Sequence, residues 1–281
     1  GSFCTYSVRF LDPSWGFAMG WNYWLQWLAA FPLEATAVTI VISFWDKDEA
    51  VPRGVWVAIY LVLMMSIHLV GVRGYGEFEF LAALIKILGC IGFIIACIVI
   101  DVGGSPRGEY LGAHSWHHPP PFLNGFKGFC SVFITAAFAY SGTEIVGIAA
   151  AESSNPRKYI PRATKQVVGR VLLFYIISIL MITFIVPSDT KSLMGDSNDP
   201  SSSPFVIALQ QGQIHALPQI FNAIILISAL SVGNASVYGG SRTLLSLAEL
   251  GMAPKIFTYV DRKGRPLPAM FVSFLFGLLG F

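Results

Sequence analysis

The feature that most constrains this chain is how its apolar residues are grouped. They fall in blocks at about 15–44, 55–72, 76–100, 126–149, 168–186 and 217–248, and a further block begins near 267. Each is close to or above the roughly 18 apolar residues that suggest a bilayer span. Only 12% of the 281 residues are charged, against about a quarter in an ordinary soluble domain. The pattern implies an all-α membrane protein crossing the bilayer several times. The blocks at 15–44 and 217–248 exceed the minimum span and are expected to tilt or to extend beyond the hydrocarbon core. The chain stops at Phe281 inside the last block and has no initiator methionine, so it is expected to be a fragment, with that last span incomplete.

A formal net charge of +2 is too small to suggest nucleic acid as a partner, and the basic residues sit in short loops between blocks. Their distribution sets the orientation. One side collects Arg9, Arg73, Arg157, Lys158, Arg162, Lys165, Arg170, Arg242, Lys255, Arg262, Lys263 and Arg265; the other has only Lys47, Arg53, Arg107, Lys127 and Lys191. The richer side is expected to be cytoplasmic. The two longest loops are 101–125 and 187–216, the second with a low-complexity stretch at 199–203.

Of the cysteines Cys4, Cys90, Cys97 and Cys130, three lie in apolar blocks and no two share a loop, so no disulfide framework is expected. Cys90 and Cys97, seven apart on one helical face, read as small packing residues rather than metal ligands. His114, His117 and His118 sit in a loop before Pro119–Pro121 and form no persuasive metal pattern. No metal or other cofactor is implied. His68, near one end of its span, reads as a satisfied or interfacial histidine.

Ionisable groups inside a bilayer are expensive and are functional candidates by default. Three stand out. Lys86 lies ten residues past Gly76, which at about 1.5 Å per residue is about 15 Å deep, near the middle of a core about 30 Å thick. Structural pairing and a role in ion or proton coupling are both open for it. Glu144 follows Ser141-Gly142-Thr143, a weak point in an otherwise apolar block. Interrupted helices at membrane depth are tolerated where they line a cavity. A break there exposes carbonyls at the end of one half-helix and amides at the start of the next, which suits a zwitterion. A packing glycine with a hydrogen-bonded glutamate is the alternative. Glu34 follows Pro32, which can kink its helix; it can pair with Lys86 or titrate. In Ser231-Val232-Gly233-Asn234-Ala235-Ser236 the small residues permit close helix contact, and Ser231, Asn234 or Ser236 can offer a polar partner to a buried charge. Asn234-Ala235-Ser236 also matches a glycosylation sequon, but within a span it should not be reached.

Several segments carry a resemblance. They are Tyr6–Ser14, Gly20–Tyr23, Pro32–Glu34, Gly71–Glu77, the stretch around Lys86, Ser141–Glu144, Ala149–Lys158, Leu230–Asn234 and Tyr259–Pro266. Together they closely resemble fungal amino-acid permeases of the amino acid–polyamine–organocation superfamily, nearest to the general amino-acid permeases. The resemblance implies a five-plus-five inverted-repeat transporter fold, two inverted five-helix repeats around a central site. The blocks here would be the third to ninth helices. The first helix, with its Gly-Ser-Gly-type break for the substrate carboxylate, the second, and the tenth and later helices would lie outside the chain, so the chain is not expected to transport alone.

By this resemblance the segment from Phe138 to Glu144 corresponds to the interrupted sixth helix. The backbone around Ala139, Tyr140 and Ser141 would accept hydrogen bonds from an α-ammonium group, with Gly142, Thr143 and Glu144 completing the break, and Phe138 would close over the substrate. Lys86 matches a lysine of proton-coupled relatives that stands where sodium binds in sodium-coupled transporters of similar fold. Glu34 matches an acidic position of the third helix. The implied function is secondary active transport of L-amino acids across the plasma membrane, as proton symport with broad specificity. The implied partners are an amino-acid substrate, protons and the lipid bilayer. A nutrient sensor that binds amino acids without accumulating them is a second reading. A membrane-embedded enzyme is a third, and no paired His/Asp constellation speaks for it.

Overall fold

Helix α2 (Pro13–Ile42) shows how local chemistry starts a span. Asp12 has extended backbone (φ −159°) and its carboxylate accepts from the Ser14 amide at 2.8 Å, while Pro13 takes the first helical position, where its missing N–H is no loss. Hydrogen bonding from the Ser14 amide, and then from its hydroxyl, holds the Asp12 carboxyl below its ordinary value. The computed structural model describes residues 2–281 apart from 47, 49, 118–123, 149–154, 191–192, 194–202 and 215. Lys47, His118, Lys191, and the segments 119–121, 149–154 and 199–202 named above lie outside the described residues, as does the side chain of Cys4.

A short helix α1 (Ser2–Phe10) precedes α2, and α3 (Arg53–Val70) and α4 (Val72–Asp101) follow. Then come α5 (Gly125–Ala139), α6 (Ile145–Ile148), α7 (Pro156–Arg170), a π-helical turn at Val171–Ile176 and α8 (Ile177–Ile185). Helices α9 (Pro204–Gln211), α10 (Ala216–Glu249) and α11 (Leu267–Gly277) complete the order. Among the described residues, five helical segments are long and apolar enough to cross a bilayer: Pro13–Ile42, Arg53–Val70, Val72–Asp101, Pro156–Ile185 and Ala216–Glu249. The protein is thus a predominantly α-helical, multi-pass membrane protein.

One detail goes beyond the hydropathy pattern. The helix around the apolar block at 168–186 begins much earlier, at Pro156, and includes the basic run Arg157–Arg170. A helix is set by its internal hydrogen bonds, and it continues past the point where apolarity ends. Pro32 does not interrupt α2, which runs through it to Ile42.

The chain divides into two compact units, one of 1–84, 145–156 and 226–281, the other of 85–144 and 157–225. In the first, Phe31, Ala35 and Val38 of α2 meet Val57, Tyr60 and Met64 of α3, Ala229 and Val237 of α10, and Met270 and Phe274 of α11. The spacings of three and four residues are those of a helical stripe. Phe31 sits at the centre, fully buried, with ring centroids 5.4 Å from Tyr60 and 5.6 Å from Phe274. Where lipid replaces water, such close packing rather than water exclusion holds helices together.

The second unit packs Phe93, Cys97 and Ile100 of α4 against Ile185, Ile207, Leu209 and Phe221. Phe93, Phe205 and Phe221 form a ring triplet with centroids 4.9–5.5 Å apart. Cys97 is buried in this core and Cys90 half-buried, both as free thiols. Along α4 in this unit, Leu88, Ile91, Ile95 and Ile98 are exposed. That continuous apolar stripe suits hydrocarbon, not water.

Candidate functional site

The helix begun by α5 breaks after Ala139. The Tyr140 amide still reaches the Ala136 carbonyl at 3.0 Å, but the Ser141 amide turns back to the Phe138 carbonyl at 3.1 Å. Gly142 then takes φ +87°, a conformation open to glycine and strained for any residue with a Cβ. The Thr143 hydroxyl donates to the Tyr140 carbonyl at 3.1 Å, a local side-chain bond that competes with helix continuation. Helix resumes at Ile145. With 15 residues, α5 is about 22 Å long, short of the roughly 30 Å hydrocarbon core.

Phe138, Ala139, Tyr140 and Ser141 are exposed at this break, and Gly142, Thr143 and Glu144 are half-buried. Tyr140 is stacked on Tyr175 at 5.2 Å between centroids and 15° between planes. Tyr175 belongs to the π-helical turn, a feature that often accompanies functional sites. Lys86 lies half-buried on α4 in the same unit, and Glu34 half-buried on α2 in the other. Among the described residues no group of three or more His, Cys, Asp or Glu side chains could hold a metal ion.

A second polar cluster lies in the first unit, and its central residue was not among the sequence candidates. Glu79 of α4 accepts from the Ser231 hydroxyl at 2.6 Å and from the Asn234 amide nitrogen at 2.8 Å, both on α10. Asn234 is fully buried, and its side-chain oxygen has no partner among the described residues. His68 is also buried, with Nε2 3.2 Å from the Asn234 carbonyl, so it is a satisfied histidine. Tyr75 stacks on Tyr238 at 4.1 Å, and Arg242 lies over Tyr238 at 4.3 Å. The signal for Glu79 was available: it is a carboxylate inside the block at 76–100, seven residues before Lys86.

Beyond this cluster a small cavity is lined by His68, Gly71, Tyr75, Tyr238, Arg242 and Arg265. Arg265 donates through Nε to Asp261 at 2.7 Å and through Nη1 to the Leu69 carbonyl at the end of α3. Asp261 further accepts from the amides of Lys263 at 3.0 Å and Arg265 at 2.8 Å. The Arg265 side chain, followed by these amides, holds the Asp261 carboxyl below its ordinary value of 3.8. A depressed carboxyl contributes stability that is complete above its ordinary value and lost as pH falls through the depressed one. Hydrogen exchange at the Lys263 and Arg265 amides, after correction for intrinsic rates, is therefore expected to quicken on acidification. Asp261→Asn should quicken it about tenfold at neutral pH. An unchanged rate in Asp261→Asn would show that the carboxylate does not hold this loop.

The amino acid permease family model matches residues 1–281 of the chain. The amino-acid permease GAP5 of Candida albicans is 52% identical over 281 residues, covering all of this chain and 45% of the relative. The general amino-acid permease GAP2 of the same organism is 49% identical over 283 residues and covers 48% of the relative. The general amino-acid permease GAP1 of Saccharomyces cerevisiae is 48% identical over 287 residues, again covering 48% of the relative. In all three the whole of this chain is matched, and it spans about half of their length. With its apolar helices, its break at residues 140–144 and this end-to-end match, the chain belongs to the amino acid permease family of membrane transport proteins, not to an enzyme family.

Proposed function

We propose that this chain is the third-to-ninth-helix portion of a plasma-membrane symporter that carries L-amino acids of broad side-chain type together with protons. The observation that carries the reading is the break between Ala139 and Ile145, with Gly142 at φ +87°. Half-helix ends at membrane depth supply partial charges without titratable groups. Carbonyls around Ala139, Tyr140 and Ser141 receive the substrate ammonium, Phe138 covers the bound molecule, and Glu144 fixes the start of the second half-helix. The substrate carboxylate is met by helices outside this chain, within a five-plus-five inverted-repeat fold. Lys86 and Glu34 are the residues assigned to proton coupling. The relatives named as general amino-acid permeases support both substrate class and breadth.

The test is uptake of labelled amino acids by the full-length permease across pH, with and without a protonophore. Accumulation that collapses on adding protonophore supports symport; binding without accumulation would instead identify a sensor. Lys86→Met should lower proton-driven accumulation by about tenfold or more. If the variant still accumulates substrate, and a protonophore still abolishes that accumulation, Lys86 is not the coupling residue.

A further inference from the structure

A carboxylate in a membrane-spanning helix is normally neutralised by a cation or kept close to water. Glu79 is half-buried on α4, and no resolved ion pair among the described residues includes it. Resolved ion pairs include Arg73–Glu77, Arg107–Glu109 and Arg265–Asp261. Its two oxygens instead meet Ser231 and Asn234, side chains that are buried and carry no charge. Both partners have a property that Lys or Arg lacks: each can donate and accept.

With Glu79 ionised, Asn234 Nδ2 donates to Oε1 and the Ser231 hydroxyl to Oε2. With Glu79 protonated, its O–H needs an acceptor. Asn234 Oδ1 is an acceptor that has no partner among the described residues and is fully buried. A half-turn of the Asn234 amide about its last bond exchanges Nδ2 and Oδ1 and offers that oxygen to the acid. Such a pocket gives Glu79 a partner in both protonation states, with one group of the Asn234 amide left unpaired in each, a cost of about 1–3 kcal/mol that the two states share.

We propose that Glu79 is a proton-carrying residue of the transport cycle, with Ser231 and Asn234 as the partners that accommodate its charged and neutral forms. The proposal rests on the symport reading and adds a residue to it. The chemistry is proton transfer alone. The Glu79 carboxylate takes a proton from water on one side of the membrane to become the acid, and later returns it to water on the other. No bond to the substrate is made.

Several charged and titratable groups lie on the same elements, among them Tyr60 of α3, which abuts Gly233 of α10. On α10, Arg242 follows Asn234 by two turns and is placed over Tyr238. On α3, His68 is bonded to the Asn234 carbonyl. On α4 itself, Tyr75 precedes Glu79 by one turn and stacks on Tyr238, and the Arg73–Glu77 pair is solvent-exposed. Lys86 follows seven residues later, about 10 Å along the helix. The segments Leu267–Gly277 and Ile145–Ile148 carry no titratable side chain.

The test uses the full-length permease in cells and in proteoliposomes. In Glu79→Gln, accumulation driven by a proton gradient should fall by about tenfold or more, while exchange of internal for external substrate falls less than about threefold. Substrate entry into proteoliposomes should no longer carry protons, read with an internal pH dye. A residue that is only structural would lower accumulation and exchange together. Ser231→Ala removes one donor to the ionised form, so the uptake profile of this variant should move toward alkaline pH. This second variant decides the matter if Glu79→Gln does not reach the membrane. Proton movement with substrate in Glu79→Gln, or an unmoved profile in Ser231→Ala, overturns the proposal. If the wild-type protein itself moves substrate without protons, the symport reading fails first, and the two failures are distinguishable.

Discussion

Gly142→Val in the full-length permease is expected to reduce amino-acid uptake by more than about tenfold while leaving the protein at the membrane. The residue stands at φ +87° in the break between α5 and α6. A β-branched side chain is a genuine outlier there, so valine favours a return to helical backbone. Regained helix would reclaim the carbonyls of the break, since the Ser141 amide no longer turns back to Phe138 and the Thr143 hydroxyl no longer reaches Tyr140. Gly142→Ala is strained for the same reason, and its loss should be smaller. Gly142→Asn tolerates positive φ better than other substitutions and should keep the most activity of the three. Uptake per molecule at the surface is the measurement. Equal loss in all three variants would point to space, not backbone conformation, as what glycine supplies.

The second large effect concerns the close approach of α10 to α3. A Cβ built on Gly233 would lie 1.9 Å from the Tyr60 hydroxyl oxygen and 2.9 Å from the carbon that bears it. Tyr60 is buried, and its hydroxyl donates to the Phe31 carbonyl at 3.3 Å. Gly233→Ala is therefore expected to destabilise the first unit by about 1–3 kcal/mol through overpacking, with a further cost of about 1 kcal/mol if the hydroxyl is displaced from Phe31. Tyr60→Phe removes the atom in the way. Gly233→Ala combined with Tyr60→Phe should thus be less damaging than the sum of the two changes. The midpoint of thermal aggregation of the purified full-length protein reads this directly. Strict additivity would mean that Tyr60 moves aside without cost.

Much of this was legible because some signals are local. Ser141-Gly142-Thr143 within an apolar run announces a break, since a flexible backbone and two hydroxyls that bond it compete with helix on the spot. Ser231 and Asn234, three apart, share a helix face and were readable as partners for a buried charge. The charge itself, Glu79, was not among the candidates, and its partners lie 152 and 155 residues away in sequence. Hydropathy alone does not mark the start of the helix at Pro156, as Arg157–Arg170 is polar yet helical. Within the loop at 187–216, Val206–Leu209 form a run too short to signal a span, but α9 buries it in the second core. Glu34 and Lys86 were legible as costly charges in apolar helices, although the chemistry of their roles is a matter for transport measurements.

The wide turn at Val171–Ile176 has no compositional mark, since Val-Leu-Leu-Phe-Tyr-Ile would pass for ordinary helix. A π turn holds about one residue more than an α turn over the same rise. It therefore acts as a phase adjustment between the basic stretch from Pro156 and the apolar stretch to Ile185. Each residue of an α-helix advances the azimuth by about 100°. Relatives that lack one residue here would have a more regular helix, and yet would present a different set of side chains above the turn. Tyr175, which meets Tyr140 from inside this turn, would then face elsewhere. Alignments across this family should accordingly be judged on either side of residues 171–176 separately, because correct phasing below the turn does not carry over to the residues above it.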